Sequence, residues 1–334
     1  MKKILVTGGC GYIGSHTIVE LINAGYECFS IDNNSNSYPW IMDRIEQITE
    51  KKIKNYNIDL TDYEALQKVL EEEGQIDGII HFAALKAVGE SVEKPVLYYK
   101  NNLGSLLNIL TAMQEFDLNN LIFSSSCSIY GNPKVIPVTE ETPIHKAESP
   151  YGATKIMGEE IISDFSKATS KSVVALRYFN PAGAHESALI GELPIGKPNT
   201  LVTVTTRVAA GKIEKLTVFG SDYDTRDGTC IRDYVHVSDI ANAHVLALEY
   251  LFSKEKNYDY FNLGTGKGST VLEVINAFEK IAGVKLNYEF GPRRPGDVEK
   301  TYADNNKAQT VLQWEPKRDL DEIMRSAWEW EKGL

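Results

Sequence analysis

The stretch KILVTGGCGYIGSHTIVELINAGYECFSID, residues 3–32, decides the fold. Lys3 to Thr7 is a short aliphatic and β-branched run that stops at glycines, and Tyr12 to Asn23 then carries apolar residues at helical spacing until Gly25. Glu27 to Ile31 is a second strand, which completes a βαβ unit ending at Asp32. A glycine pattern alone is weak, because glycines also gather in turns that merely join a strand to a helix. Here Gly8, Gly9, Gly11 and Gly14 follow a strand and open a helix, the setting in which backbone N–H groups hold a diphosphate. Asp32, at the tip of the next strand, offers a carboxylate to a ribose 2′-hydroxyl and repels a 2′-phosphate. The expected dinucleotide is therefore NAD rather than NADP.

Outward from this unit, similar apolar runs recur at Ile53 to Ile58, Ile76 to Phe82, Leu121 to Ser125 and Val173 to Tyr178, alternating with helical patterns. Such alternation predicts an α/β fold, a doubly wound parallel sheet of Rossmann type covered on both faces. After Asn180-Pro181-Ala182-Gly183-Ala184 the regularity fails, and Gly191, Pro194, Gly196 and Pro198 punctuate a loop-rich stretch. Val237 to Leu251 reads as another helix and Asp259 to Leu263 as a strand returning to the first sheet. The expected domains are residues 1–180, with a return segment near 235–265, and a smaller, mixed, discontinuous substrate domain over 181–334.

At 334 residues and 43% hydrophobic, the chain is long enough for two cores. A net charge of -11 opposes binding of nucleic acid through bulk charge, so a phosphate-bearing ligand must be held by local donors. Cys10, Cys28, Cys127 and Cys230 lie far apart with no paired spacing, which predicts reduced thiols and no metal site. The start Lys2-Lys3-Ile4-Leu5-Val6 is broken at once by Gly8 and Gly9, so no leader is expected. No stretch approaches the roughly 18 apolar residues of a membrane span. A cytoplasmic protein that does not enter membranes is expected.

Ligands of doubly wound sheets sit at strand ends. Two further ends fit: Asp59-Leu60, whose carboxylate suits an adenine amino group, and Phe82-Ala83-Ala84, whose small residues suit close backbone approach but equally suit packing. Tyr151-Gly152-Ala153-Thr154-Lys155 sets a phenol and an ammonium four residues apart behind Pro150, on one face of a helix. Ser124-Ser125-Ser126 ends the fifth strand and brings a hydroxyl to the same sheet edge. A phenol with a pKa of about 10 is a poor base, but a lysine and a positive nicotinamide both favour its phenolate. Tyr151 then takes a proton from a sugar or alcohol hydroxyl while Ser126 aligns it. The competing reading of Ser126 is a cap on nearby backbone.

Taken together, these residues resemble the extended short-chain dehydrogenase/reductase superfamily and, within it, the UDP-glucose 4-epimerases. The resemblance rests on residues 8–16, Asp32-Asn33, His81 to Ser91, Ser124-Ser125-Ser126 and Ser149-Pro150-Tyr151-Gly152 with Lys155. It continues through Arg177 to Ala184, Asp227-Gly228-Thr229, Arg232-Asp233-Tyr234 and Pro292-Arg293-Arg294-Pro295-Gly296-Asp297. The resemblance implies reversible inversion at C4 of a UDP-hexose by a retained NAD, with Tyr151, Lys155 and Ser126 catalytic. It implies NAD contacts from Gly8, Gly11, Tyr12, Ile13, Gly14, Asp32, Asn33, Asn36, Ser37, Asp59, Leu60, Phe82, Ala83, Ala84, Lys86, Asn101 and Phe179, beside the catalytic three. UDP-sugar contacts are implied for Lys86, Ser126, Tyr151, Asn180, Leu201, Phe219, Arg232, Arg294, Asp297 and Thr301.

The usual fate of an isolated arginine is a surface salt bridge, and only the motif lifts Arg232 and Arg294 above it. Asn199-Thr200-Leu201-Val202 departs from the family's usual Asn-Leu followed closely by Pro. Thr301 stands where some members carry a bulky tyrosine, which implies room for an N-acetyl group and hence turnover of UDP-N-acetylglucosamine and UDP-N-acetylgalactosamine. Homodimers are usual in the family, through helices such as 94–116 and 151–168 here. The rival readings are an epimerase of UDP-pentoses or UDP-glucuronate, a nucleotide-sugar dehydrogenase that releases NADH, and a silent NAD-binding protein. A 4,6-dehydratase typically carries Asp-Glu where this chain has Cys127-Ser128.

Overall fold

The computed structural model describes residues 1–253, 258–294 and 297–334. Residues 254–257 of the expected return segment, and Pro295 and Gly296 of the 292–297 motif, lie outside the described residues. The chain runs β1 (Lys3–Thr7), α1 (Tyr12–Asn23), β2 (Glu27–Ile31), α2 (Ile41–Thr49), β3 (Asn55–Tyr56), α3 (Tyr63–Glu73), β4 (Gly78–His81) and α4 (Val88–Glu93). It continues α5 (Pro95–Glu115), β5 (Asn120–Ser126), α6 (Pro150–Ala168), β6 (Ser172–Tyr178), β7 (Asn180–Ala182), α7 (Leu201–Ala209), β8 (Leu216–Phe219), β9 (Ile231–Arg232) and β10 (Tyr234–His236). The last elements are α8 (Val237–Ser253), β11 (Tyr258–Leu263), β12 (Ser269–Thr270), α9 (Val271–Ala282), β13 (Tyr288–Gly291), β14 (Lys300–Thr301) and α10 (Leu320–Lys332). Two compact units result: residues 1–131, 144–177 and 241–261, and residues 132–143, 178–240 and 262–334.

In the first unit, seven strands among the described residues form one sheet in the order β11-β6-β5-β4-β1-β2-β3. Pairs β1–β2, β2–β3, β1–β4 and β4–β5 are parallel. β1, β4, β5 and β6 are buried almost end to end, the pattern of strands covered on both faces. Leu5, Ile31, Ile79, Leu121, Phe123 and Val173 share one apolar cluster with the helices. The chain winds outward from β1 to β2 and β3, then outward the other way from β4 to β5 and β6. The order therefore reverses between β1 and β4, where doubly wound sheets take their ligands. Thr7 pairs with both Ile31 and His81, which makes neighbours of the residues just beyond: Gly8, Asp32 and Phe82. The strand expected over 53–58 shrinks to Asn55–Tyr56, because its ladder reaches only Ser30 and Ile31 of β2. β11 joins the opposite edge beside β6.

The second unit is mixed. β9 pairs antiparallel with β12 and parallel with β14, β7 pairs with β10, and β8 with β13. Val202, Val274, Phe278, Ile323 and Met324 from α7, α9 and α10 make its core. α9 is fixed by a capping box between Thr270 and Glu273 and stops at Gly283, which is left-handed.

Candidate functional site

The glycine turn is shaped by close backbone approach. Gly8 has φ +72°, and a Cβ there lies 2.9 Å from the Ala83 nitrogen; a Cβ at Gly14 lies 2.2 Å from the Gly8 oxygen. Neither position tolerates a side chain. Gly11 precedes the first turn of α1 and supplies no side-chain cap, and that turn carries no acidic residue. No carboxylate of that turn competes for its N–H donors, which suits a diphosphate. The Asp32 carboxylate accepts from the Cys10 nitrogen at 3.0 Å, the Asn34 nitrogen at 2.9 Å and the Ser37 hydroxyl at 2.9 Å. These bonds hold it against the glycine turn and leave one lone pair, on Oδ2, for a ribose hydroxyl. The donor set and the side-chain-free turn fit a dinucleotide.

Of the other expected cofactor residues, Asp59 and Leu60 follow β3 and Phe82, Ala83 and Ala84 follow β4. Asp59 accepts from Asn33 Nδ2 at 3.0 Å and from the Thr61 nitrogen and hydroxyl at 2.8 and 2.7 Å. Burial pushes its carboxyl up, but these hydrogen bonds prevail and leave it below the usual carboxylate range. Leu60 packs in the apolar core, Asn36 is exposed, and Ile13 and Ala84 are half-buried. Phe82 lies 4.7 Å from the His244 ring, Ala83 donates to the Thr7 hydroxyl at 3.3 Å, and Lys86 Nζ is 5.8 Å from the Tyr12 ring centroid. Asn101 Nδ2 donates to Asn102 Oδ1 at 2.9 Å. Phe179 belongs to the second unit, where its nitrogen donates to the Leu263 oxygen at 3.2 Å.

Ser149 caps α6 by accepting from the Gly152 nitrogen at 3.2 Å, and Pro150 occupies the first turn. One turn apart on this helix, Lys155 Nζ lies 5.8 Å from the Tyr151 ring centroid. The lysine is buried and donates to the Ser124 oxygen at 2.5 Å. Ser126, at the end of β5, accepts from the Ser128 nitrogen at 3.2 Å and hydrogen bonds to the Tyr151 phenol. So the backbone cap and the contact with tyrosine coexist in one serine. Desolvation pushes the Tyr151 phenol up to about 12, opposed by the Ser126 hydroxyl. Burial pushes Lys155 down to about 8, opposed by the Glu159 charge.

In the second unit, Asp297 gathers two arginines. Its Oδ1 accepts from Arg294 Nη2 at 2.7 Å and lies 3.6 Å from Arg232 Nη2. One carboxylate against two guanidiniums leaves one positive charge over, a local cation in an acidic chain. The Arg294 guanidinium is 5.5 Å from the exposed Phe219 ring, and Thr301 is the β-ladder partner of Arg232. The Asn180 backbone nitrogen donates at 2.9 Å to the backbone oxygen of Asp233, the residue after Arg232. Leu201 opens α7 and packs on this unit's apolar core.

Sequence patterning did not point to the buried groups beneath Tyr151 and Lys155. His81 Nδ1 is 2.8 Å from the Thr7 hydroxyl, its ring stacks on Phe123, and burial together with the Lys155 charge pushes it down to about 3. Glu159, on the same face of α6 as Lys155, forms a buried ion pair with Arg177 of β6. A charged residue one turn beyond Lys155 was the available signal for Glu159. Among the described residues, no group of His, Cys, Asp and Glu is placed to hold a metal, no disulfide forms, and no helix is long and apolar enough to cross a membrane.

Residues 5–327 match the family described as GDP-mannose 4,6 dehydratase. The chain is 49% identical to UDP-glucose 4-epimerase of Bacillus subtilis (strain 168), over 99% of this chain and 97% of that protein. It is 48% identical to UDP-glucose 4-epimerase of Pasteurella multocida (strain Pm70), over 98% of this chain and 97% of that protein. Among solved structures it is similar to UDP-glucose 4-epimerase from Bifidobacterium longum in complex with NAD+ and UDP, with TM-score 0.96 and 46% identity over 99% of this chain and 98% of that one.

Proposed function

This chain belongs to the UDP-glucose 4-epimerase family, and from that membership we propose that it interconverts UDP-glucose and UDP-galactose by reversible inversion at C4 with NAD as cofactor. The observation that carries this reading is the cluster of Ser126, Tyr151 and Lys155 at the end of β5, in the same sheet as the strand that ends in the glycine turn. Tyr151 takes the C4 hydroxyl proton and later returns one, with Ser126 aligning the hydroxyl. A phenol near 12 needs positive charge beside it to act as a base at neutral pH. Lys155 gives part of it. Bound NAD in its oxidised form would supply the rest, together with a hydride acceptor that gives the hydride back, so the conversion has no net redox. Gly8, Gly11, Tyr12, Ile13 and Gly14 would hold its diphosphate, and Asp32, Asn33, Asn36 and Ser37 its adenosine ribose. Asp59, Leu60, Phe82, Ala83, Ala84, Lys86, Asn101 and Phe179 are the further residues proposed to touch it.

Arg232 and Arg294 anchor the substrate diphosphate with forked donors, flanked by Asn180, Leu201, Phe219 and Asp297. A grip on the diphosphate rather than the ring leaves the sugar able to turn and accept hydrogen on either face. Elimination of water by related dehydratases uses a carboxyl pair beside the serine, whereas Cys127 and Ser128 stand there in this chain, and neither is a carboxylic acid. Thr301 is small and buried next to Arg232, which favours acceptance of N-acetylated UDP-hexoses as well.

Product analysis tests the reading: the purified chain with UDP-galactose yields UDP-glucose without accumulating NADH. Conversion of only UDP-pentoses or UDP-glucuronate, or stoichiometric NADH release, overturns it. UDP-N-acetylgalactosamine in the same assay tests the pocket at Thr301, and failure to convert it removes that part. The chain is further proposed to act in the cytoplasm as a homodimer. Val96, Leu97 and Leu107 on α5 and Met157 on α6 are exposed apolar side chains that suit a helix-to-helix contact. Sedimentation at micromolar concentration distinguishes dimer from monomer.

A further inference from the structure

Glu159 follows Lys155 by one helical turn and Tyr151 by two, so the three share a face of α6. Its side chain is buried, and it accepts from Arg177 through Nε at 2.9 Å and Nη2 at 2.6 Å, a two-pronged pair that fixes the carboxylate plane. The same carboxylate accepts from the Ser125 hydroxyl at 2.5 Å. Arg177 then donates from Nη1 to the Tyr130 hydroxyl at 2.8 Å, and its guanidinium lies 4.1 Å from the Tyr260 ring centroid. Ser125 and Tyr130 bracket the short segment that carries Ser126. Ser124, on the other side of Ser125, supplies the oxygen that receives Lys155. Helix and strand can approach this closely because Gly158 faces Phe123, where a Cβ lies 2.7 Å from the ring.

We propose that Glu159, locked by Arg177, is a positioning residue for proton transfer: it pins the Ser126 segment at both ends and sets it in register with Tyr151 and Lys155. A buried ion pair serves poorly as a source of stability, since well-packed apolar residues of the same volume do as well or better. Directed hydrogen bonds to two separate points of one strand end are what apolar packing does not provide. The position of Ser126 relative to the phenol matters because proton transfer requires donor and acceptor at about 2.6–3.2 Å.

The proposal rests on the epimerase reading and is tested with the NAD-loaded enzyme. Ser125→Ala removes the tether and leaves the ion pair whole; Tyr130→Phe releases the other end. Both are expected to keep the parent's fold, thermal midpoint within a few degrees, and KM for UDP-galactose within about twofold, while kcat falls about tenfold, as a small misplacement of reacting groups does. Kcat within twofold of the parent in both variants overturns the proposal. So does a loss of activity that follows a fall in thermal midpoint or a matching rise in KM, because loosening alone produces that. A parent that does not convert UDP-galactose overturns the epimerase reading itself, which separates the two failures.

Discussion

Replacing Lys155 with methionine is expected to stabilise the folded chain while removing nearly all activity, and the gain in stability shrinks as pH rises. Lys155 is 5% exposed, and burial lowers its pKa from 10.5 to about 8. Between these values the unfolded chain holds a proton that the folded chain has lost; below 8 the folded chain must bury the charge. The stability tied to this lysine is thus fully present only above about pH 10.5 and is lost as pH falls through 8. At pH 7 the difference between 10.5 and about 8 amounts to a penalty of about 3 kcal/mol, and at pH 9 about 2 kcal/mol remains. Methionine also forgoes the hydrogen bond to the Ser124 oxygen, which costs about 1 kcal/mol. The net expectation is a gain of about 2 kcal/mol at pH 7 and about 1 kcal/mol less at pH 9. Urea denaturation of nucleotide-stripped parent and variant at the two pH values measures it, and the difference between them removes the shared hydrogen-bond and packing contributions. A variant less stable than the parent at pH 7, or one whose gain is as large at pH 9, refutes the reasoning.

Tyr151→Phe is expected to lower kcat about a thousandfold while leaving NAD bound, since the phenol's hydrogen bond to Ser126 is worth only about 1 kcal/mol; turnover and nucleotide released on denaturation check both halves. Arg232→Met and Arg294→Met are each expected to raise KM for UDP-galactose roughly ten- to a hundredfold with little change in kcat, which steady-state kinetics resolves. His81 is pushed from 6.5 to about 3, so its protonation is disfavoured in the folded state; the stability it contributes is full above 6.5 and is lost as pH falls toward 3. Between pH 7 and 5 that loss is about 2 kcal/mol, and His81→Asn, which keeps an acceptor near Thr7, is expected to lack it in denaturation curves at the two pH values.

How far the sequence foretells this arrangement depends on the range of the interaction. Periodicity within residues 3–32 shows strand, turn and helix, because each is decided by neighbours a few residues away. The one-turn separation of Tyr151 and Lys155 is likewise local. Edge β3 is misjudged in length because its extent depends on how much of β2 remains to pair with it, which residues 53–58 do not encode. The contact between Ser126 and Tyr151 joins residues 25 apart, read from their numbers, and the Glu159–Arg177 pair joins residues 18 apart on two different elements. A serine run and a charged helix position are visible in the chain; which serine meets the phenol, and which arginine meets the glutamate, follow only from the crossing of α6 over β5.

That crossing also explains why polar groups are gathered where an apolar interior would be more stable. Thr7, His81, Ser125, Lys155, Glu159 and Arg177 are all buried. Each has a defined partner: Thr7 with His81, Ser125 and Arg177 with Glu159, and Lys155 with the Ser124 oxygen. Keeping His81 neutral removes a second cation that would drive Lys155 lower still, and the Glu159 charge raises what burial lowers. The lysine thus keeps a pKa of about 8 with one negative neighbour opposing its desolvation and one neutral neighbour adding no charge against it. A purely apolar layer beneath α6 would be more stable, but it would remove the Glu159 charge that opposes desolvation of Lys155, and with it support for the positive charge beside the phenol.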